Sequence, residues 1–131
     1  MSQENVEIVR TAIGAFNEGE FDRVLAGLAP EAEVDLSRAI GPIRGVYTLD
    51  QTRRVMDELA GTWRSFRIEP VEFIEVEEHV VVPWTYHVVG RDGIEVQARS
   101  TWAFTIRSGA IARVCMYQER QDALEAAGLR E

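Results

Sequence analysis

The chain has 131 residues, of which 46% are hydrophobic and 27% charged, and its formal charge at pH 7 is -8. A chain of this length buries a real core, so we expect residues 1–131 to form a single domain. All 14 basic residues are arginines, which excludes a lysine Schiff base and a P-loop. The negative charge disfavours nucleic acid and anionic membrane surfaces as partners. Because no long apolar run occurs and the first seven residues are too polar for a signal peptide, we expect a cytoplasmic location.

Apolar residues recur at helical spacing in two runs near the start of the chain. In the first run they are Val6, Val9, Ile13 and Phe16, and in the second they are Phe21, Val24, Leu25 and Leu28. Residues three and four positions apart lie on one face of a helix, so the sequence predicts two amphipathic helices. Gly19 ends the first helix, and the second ends before Pro30. Further on, Thr48 and Gln51 form a capping box that begins a third helix.

From residue 64 onward the apolar period shortens to two residues, which is typical of strands. Four strands are predicted, over 65–76, 79–89, 94–107 and 110–118. A short strand at 33–36 and an irregular loop over 37–47 precede the third helix, and a helical tail follows over 120–127. The turns between the long strands contain Asp92-Gly93 and Ser108-Gly109, which favour hairpins.

Helices that are separate in sequence from an antiparallel meander define the α+β class. The predicted strands are longer than usual, and long strands twist and curl. The sequence therefore predicts a curved antiparallel sheet with three N-terminal helices on its concave side. Such a sheet leaves a cavity wherever the helices do not fill its concave side.

Several short stretches carry a resemblance to a known family. They lie at 8–10, 15–22 (AFNEGEFD), 32–35, 42–45, 66–70 and 107–111. In these stretches the chain resembles the SnoaL-like proteins of the nuclear transport factor 2-like superfamily, which also contains the ketosteroid isomerases. The resemblance covers about residues 5–129. It implies a cone-shaped α+β barrel with a deep pocket and a homodimer formed through the outer face of the sheet.

The catalytic positions of the ketosteroid isomerases are not matched in this sequence. Their helix tyrosine falls at Ala12, and their aspartate base falls at Leu36. Their second acid falls at Trp102 or Thr101, and no aspartate occurs between residues 94 and 117 for a cyclase-type acid. The Asp-Arg-Asp constellation of the superfamily's epoxide hydrolases cannot be assembled either. Asp35 adjoins the base position, but strand alternation directs it to the opposite face unless a bulge turns it inward.

The resemblance also indicates which strand residues face the pocket. In the family's register, alternation turns inward Val80, Val82, Trp84, Tyr86 and Val88, then Ala98, Ser100, Trp102, Phe104 and Ile106, and finally Val114, Met116 and Gln118. From these and the helices, the predicted ligand-binding residues are Phe16, Met56, Trp84, Tyr86, Ser100, Trp102, Met116 and Gln118. A mostly apolar lining with a few polar points is typical of a site for a small hydrophobic or aromatic molecule. Trp84 and Trp102 fit a role as core filling equally well.

Two functions follow as alternatives. The first is a SnoaL-like protein that binds a small apolar molecule and lacks the isomerase catalytic set. The second is an isomerase, cyclase or hydrolase acting by proton transfer on a small carbonyl or polyketide-like substrate, with Asp35 as base and Tyr86 as donor to an oxyanion. No cofactor is expected. Because His79, His87 and Cys115 lie at a turn or on the outer face, no metal site is expected.

Overall fold

The structure is a computed structural model, and it describes residues 2–39 and 44–128. Residues 42 and 43, on which part of the resemblance rests, and residue 129, at the end of the resemblance, lie outside these ranges. Part of the predicted loop over 37–47 lies outside them too.

Four helices and seven strands form within the described residues. The helices are α1 (Ser2–Asn17), α2 (Phe21–Ala26), α3 (Leu49–Thr62) and α4 (Arg120–Ala126). The strands are β1 (Leu28–Asp35), β2 (Val46–Tyr47), β3 (Trp63–Pro70), β4 (Ile74–Val76), β5 (His79–Gly90), β6 (Glu95–Arg107) and β7 (Ala110–Tyr117). The capping box before α3 is confirmed, because the Thr48 hydroxyl accepts from the Gln51 N–H at 3.3 Å and the Gln51 amide oxygen accepts from the Thr48 N–H at 2.9 Å. Gly19 follows α1 with a φ of +75°, which glycine adopts without strain.

The strands form one sheet in the order β2-β1-β7-β6-β5-β3, and β4 also pairs with β5. The pairs β3–β5, β5–β6 and β6–β7 are antiparallel, as the predicted meander requires. β1 pairs with β7 in parallel, so the sheet as a whole is mixed. Because β2 and β3 lie at opposite ends of this order, the curved sheet does not close into a complete barrel.

Two strands differ from their predicted extents. The single strand predicted over 65–76 is divided, since β3 ends at Pro70 and β4 begins at Ile74. Proline has no N–H to give to a ladder, so it is suited to the end of a strand. β1 begins at Leu28, earlier than predicted, and its register with β7 shifts between Leu28 and Glu33. That irregularity masks the alternation by which the sequence signals a strand.

The side chains of the sheet divide between two cores on its opposite faces. The inner core, against α1, contains Val80, Val82, Trp84, Phe104, Ile106, Val114 and Met116 of the sheet with Val9 and Ile13 of the helix. The outer core, under α4, contains Val81, Ala103, Cys115 and Tyr117 of the sheet with Ala123, Leu124 and Ala127. The inward orientation predicted for these strand residues is confirmed.

Candidate functional site

Aromatic side chains gather on the inner face of the sheet, where β3, β5 and β6 lie side by side. We call this group the aromatic cluster, and it consists of Phe16, Phe66, Trp84, Tyr86, Trp102 and Phe104. The Phe66 ring contacts Phe16 and Tyr86, with centroids 5.8 and 5.6 Å apart. Trp84 packs at a tilt on Trp102, with centroids 4.7 Å apart. Antiparallel pairing of β5 with both β3 and β6 brings these rings together.

A chain of hydrogen bonds crosses the cluster from β6 to β5. The Trp102 indole N–H donates to the Ser100 hydroxyl at 2.8 Å, and that hydroxyl donates to the Tyr86 hydroxyl at 3.2 Å. The three groups carry one proton each, and the two bonds use two of them. Within the described part of the chain, the Tyr86 hydroxyl proton therefore has no acceptor and is free for one.

Trp84 contributes a second unused donor. Its side chain is only 4% exposed, and its Nε1 is the one buried side-chain nitrogen or oxygen without a hydrogen-bond partner among the described residues. A buried donor left unpaired costs about 1–3 kcal/mol, so native structures rarely keep one without a reason. The cluster thus presents two N–H or O–H donors, from Trp84 and Tyr86, that no protein acceptor satisfies.

Exposure varies along the inner face, and near the β5–β6 hairpin the β6 side is the more open one, since Val88 of β5 is buried there. Trp84 and Phe104 are buried, whereas Tyr86 and Trp102 are partly exposed. Further along β6, the inward-facing Val96 is 48% exposed. A ligand approaching this face therefore meets Tyr86 and Trp102 before the buried Trp84.

Two of the hollows on the described surface lie away from the aromatic cluster. One, of about 470 Å³, lies at the hairpin end between Thr62–Trp63, Gly90–Asp92, Ile94 and Val96. The other, of about 380 Å³, lies between α1 and β4 around Arg10 and Phe73. The rings of the cluster pack on one another, so a ligand that uses its donors must displace the partly exposed rings from the hairpin end.

Asp35, the predicted base, lies at the end of β1 and is 6% exposed. Its carboxylate accepts from the Ser37 hydroxyl at 2.6 Å, from the Ser37 N–H at 3.0 Å and from Arg113 at 2.9 Å, and Arg38 lies 3.7 Å away. Burial raises the pKa of Asp35, but the Ser37 hydrogen bonds and the charges of Arg113 and Arg38 outweigh it and lower that pKa overall. A carboxylate with a lowered pKa is a weaker base.

The structure does not bring Asp35 and Tyr86 together. Asp35 stands opposite Cys115 in the β1–β7 pair, and Cys115 belongs to the outer core. Tyr86 packs against the inner core on the other side of the sheet. The register shift in β1 does not turn Asp35 inward, so Asp35 keeps the orientation that plain alternation predicts. The role of Asp35 as a base remains a prediction.

The remaining predicted ligand-binding residues divide by position. Ser100 and Phe16 lie at the cluster, and Met116 lies in the inner core opposite Trp102. Met56 instead packs in a separate core between the helices. Gln118 lies beyond the end of β7, is exposed, and donates to the Arg38 carbonyl at 2.7 Å, so it is not part of the cluster.

Phe66 belongs to the cluster although the sequence analysis did not single it out. In the sequence Phe66 lies two residues before Ile68 on β3, and this spacing could have identified it as an inward residue. Both side chains pack on the inner core. Asn17 positions this strand against α1, because its side-chain amide donates to the Ile68 carbonyl and accepts from the Ile68 N–H, both at 2.8 Å. The face of β3 could have been predicted from the same two-residue period that was applied to β5 and β6.

The histidines and the cysteine lie away from the cluster, as predicted. His87 is on the outer face, with Nε2 2.7 Å from the Glu69 carboxylate and Nδ1 3.0 Å from the Gln97 amide nitrogen. Cys115 is buried in the outer core, 3.4 Å from the Arg38 guanidinium. Across residues 2–39 and 44–128, no group of His, Cys, Asp or Glu is arranged to hold a metal ion. No described helix is both long and apolar enough to cross a membrane.

Comparison with known proteins identifies the family of this chain. The family model of the SnoaL-like domain matches residues 9–114, from the first helix into the last strand. The chain belongs to the SnoaL-like family. The resemblance predicted from short stretches is confirmed, although the matched range is shorter than residues 5–129. None of the curated proteins compared with this SnoaL-like chain matches it.

Solved structures of low sequence identity share the fold of this SnoaL-like chain. TerC, crystallised with polyporic acid, has a TM-score of 0.80 at 20% identity, over 96% of this chain and 99% of TerC. A nuclear transport factor 2-like protein of Burkholderia pseudomallei has a TM-score of 0.78 at 20% identity, over 96% and 98%. A proposed polyketide cyclase of Xanthomonas campestris has a TM-score of 0.72 at 21% identity, over 96% and 98%. The predicted nuclear transport factor 2-like α+β fold is thereby confirmed.

Proposed function

We propose that this SnoaL-like protein binds a small, flat hydrophobic or aromatic molecule at the aromatic cluster, without turning it over. The observation that carries the proposal is the unpaired Nε1 of the buried Trp84. The Tyr86 ring, whose hydroxyl proton is unused, has its centroid 6.4 Å from that of Trp84. A ligand oxygen near both groups would satisfy the unpaired indole donor and take up the free phenol proton.

The chemistry of the cluster defines the ligand class further. Its six rings offer apolar faces, and neither they nor Ser100 carries a charge. Both unused groups are donors, so the ligand needs acceptors such as carbonyl or ether oxygens. A flat ring system with carbonyl or ionised hydroxyl oxygens fits these requirements better than an amine does, because an amine brings further donors.

The comparisons support this class without establishing it. TerC, which shares the fold, was crystallised with polyporic acid, and other proteins of the same fold are described as proposed polyketide cyclases. These names make polyporic acid a reasonable first probe for the present protein. They also make carbonyl-bearing ring compounds the natural panel of further probes.

Removal of the unused donors is expected to weaken ligand binding. In Trp84→Phe the indole N–H is lost and an aromatic ring is kept, and in Tyr86→Phe only the hydroxyl is lost. Each variant is expected to bind about fivefold more weakly, since a hydrogen bond contributes about 1 kcal/mol. Calorimetric titration with polyporic acid measures the change, and Trp63→Phe, outside the cluster, is the matched control.

Two results would count against the binding proposal. If both variants bind as tightly as the unaltered protein, the ligand lies elsewhere. If neither polyporic acid nor a panel of lipophilic carbonyl compounds shifts the thermal transition or appears in native mass spectra, the protein is not a binder of this class.

A second candidate is an enzyme that acts by proton transfer on a small carbonyl or polyketide-like substrate. One observation favours it, because the Trp84 and Tyr86 donors are suited to stabilise a developing oxyanion. Its predicted base is not on the inner face, since Asp35 stands opposite Cys115 and pairs with Arg113.

Turnover assays test this second candidate. If a carbonyl substrate is turned over, Tyr86→Phe is expected to lower kcat about 100-fold or more, as expected for a lost oxyanion donor. Asp35→Asn decides the base, because unchanged turnover in that variant would remove Asp35 from the mechanism. An absence of turnover across the panel, in protein that binds the same compounds, would reject the enzyme altogether.

We also propose that the chain forms a homodimer, which the family resemblance places at the outer face of the sheet. The apolar centre of that face is already covered by α4 of the same chain. The uncovered part lies toward the β5–β6 hairpin, where the outward residues are polar, among them His87 and Gln97.

A further inference from the structure

Part of strand β6 has a neighbour on only one side. From Glu95 to Ser100 each residue pairs with β5, whereas pairing with β7 begins at Thr101, opposite Tyr117. β7 ends there and the chain turns into α4. No strand among the described residues covers the other side of 95–100, which we call the free edge of β6. A free edge of this kind is a template for pairing with another strand.

The ladder geometry shows which backbone groups point outward at the free edge. The Gly90 N–H donates to the Ile94 carbonyl at 2.8 Å, so these two residues form a hydrogen-bonded pair of the β5–β6 ladder. Bonded and non-bonded pairs alternate in antiparallel sheets, so residues 96, 98 and 100 also bond to β5. The N–H and C=O groups of Glu95, Gln97 and Arg99 therefore point away from β5, toward solvent.

We propose that the free edge of β6 pairs antiparallel with the same edge of a second copy of this chain, about a two-fold axis at Gln97. This proposal rests on the homodimer proposed above, but it moves the contact from the outer face, whose apolar centre α4 covers, to the edge of the sheet. In this register Gln97 lies opposite Gln97 of the second copy, and Glu95 lies opposite Arg99. In both copies the backbone N–H and C=O groups of Glu95, Gln97 and Arg99 point toward the shared edge. Each pair across the axis therefore exchanges two backbone hydrogen bonds.

Charge complementarity favours a second copy of this chain as the pairing partner, and it favours this register over its neighbours. Glu95 and Arg99 are both exposed, and neither has an ion-pair partner among the described residues. The two-fold axis places each Glu95 directly across from an Arg99, an arrangement that stabilises a strand pair. A shift by two residues in either direction brings Gln97 opposite one charged residue and leaves the other charge unmatched.

The opposite side of the paired strands is complementary as well. Val96 and Ala98 point to the inner face, and Val96 is 48% exposed. The two-fold register sets each Val96 across from Ala98 of the second copy, so both apolar side chains lose contact with water. The paired strands would also extend the inner face beyond Tyr86 and Ser100, next to the proposed ligand site.

A proline at Gln97 tests the pairing. Gln97 gives no N–H to β5, so Gln97→Pro removes a hydrogen bond only at the free edge, where proline is tolerated. Gln97→Ala is the matched control, because it loses the same contact with His87 but keeps the N–H. We expect Gln97→Pro to raise the dimer dissociation constant at least about tenfold and Gln97→Ala to leave it nearly unchanged. Sedimentation velocity over a concentration series measures both against the 14.8 kDa monomer.

A charge exchange provides a second test that does not depend on the fold of the proline variant. Glu95→Arg and Arg99→Glu each place like charges across the axis and are expected to weaken the dimer at least about tenfold. The double variant restores opposite charges and is expected to restore the dimer. Circular dichroism melts confirm that each variant is folded.

The possible failures of this test are distinct. A protein that stays monomeric at every concentration overturns the homodimer and the edge pairing together. A dimer that neither Gln97→Pro nor the single charge reversals weaken overturns the edge pairing alone and places the dimer contact elsewhere on the surface. Ligand titrations of the Trp84 and Tyr86 variants are read separately, so their outcome is not confused with either failure.

Discussion

Replacement of Trp84 by alanine is expected to lower the free energy of unfolding by about 3–5 kcal/mol. The Trp84 side chain is 4% exposed and packs against three other rings, those of Trp102, Tyr86 and Phe104, at centroid distances of 4.7 to 6.4 Å. Alanine leaves a cavity among these rings, and close-packed neighbours collapse into such a space only in part. Chemical denaturation followed by circular dichroism gives the free energy.

Trp102→Ala is the matched comparison, because the same side chain is removed from a partly exposed position. It is expected to cost about 1–2 kcal/mol, since less apolar area returns to water. A similar loss in both variants would mean that both tryptophans only fill the core. A large difference would assign core packing to Trp84 and leave Trp102 available to a ligand, which is what the exposure of the two residues indicates.

Asp35→Asn is expected to lower the free energy of unfolding by about 2 kcal/mol at neutral pH, because hydrogen bonds to a charged group contribute about 1.5–3 kcal/mol. The asparagine still accepts from Ser37, but it no longer attracts Arg113 or Arg38. Arg113 is about half exposed, so water screens part of that attraction and the loss stays well below that of a fully buried pair.

The pH dependence follows from the sign of the pKa change. The folded protein lowers the pKa of Asp35 below its unfolded value of about 3.9. The stabilising contribution is therefore complete above about pH 4 and is lost as the pH falls through the lower, folded pKa. The difference between the unaltered protein and Asp35→Asn should close in acid. Denaturation at a series of pH values measures it, and a gap of undiminished size at about pH 2 would contradict the assignment.

Glu33→Gln is the control for this experiment. Glu33 also approaches Arg113, at 3.9 Å, but its side chain is 59% exposed. Exposed ion pairs contribute little, so this variant is expected to change stability by less than about 0.5 kcal/mol at any pH. The contrast would show that the Asp35–Arg113 ion pair links the end of β1 to β7, whereas exposed surface charges contribute little.

The fold could be predicted from the chain because its signals are local and repeated. The first helical runs, the capping box of Thr48 and Gln51, and the two-residue period of the long strands each act over a few residues. Alternation, in the register that the family resemblance supplied, placed Trp84 and Cys115 on opposite faces of the sheet, as the two cores show. The parallel β1–β7 pair could not be predicted in this way, since its partners are distant in sequence.

The candidate site was only partly predictable, because it too depends on contacts between residues that are distant in sequence. Strand period identified Tyr86, Ser100 and Trp102 as neighbours on one face, but it does not show which hydroxyl donates to which. Met56 and Gln118 were placed in the pocket by their positions along helix and strand. The structure assigns Met56 to a core between helices and Gln118 to an exposed position beyond β7, because helix rotation and strand ends depend on packing between elements.

Length and composition by themselves excluded lysine chemistry and predicted a single domain. Residue spacing indicated an α+β architecture, and the resemblance of several short stretches indicated the SnoaL-like family. Tertiary structure alone decided the features on which function depends. In the tertiary structure the Trp84 indole N–H has no partner, and Asp35 pairs with arginine on the outer face of the sheet. Strand β7 ends before it reaches the residues of β6 next to the β5–β6 hairpin. Each of these depends on which distant groups meet in space, and a hydrogen bond, an ion pair or a free edge is specified only when both sides of the contact are in place.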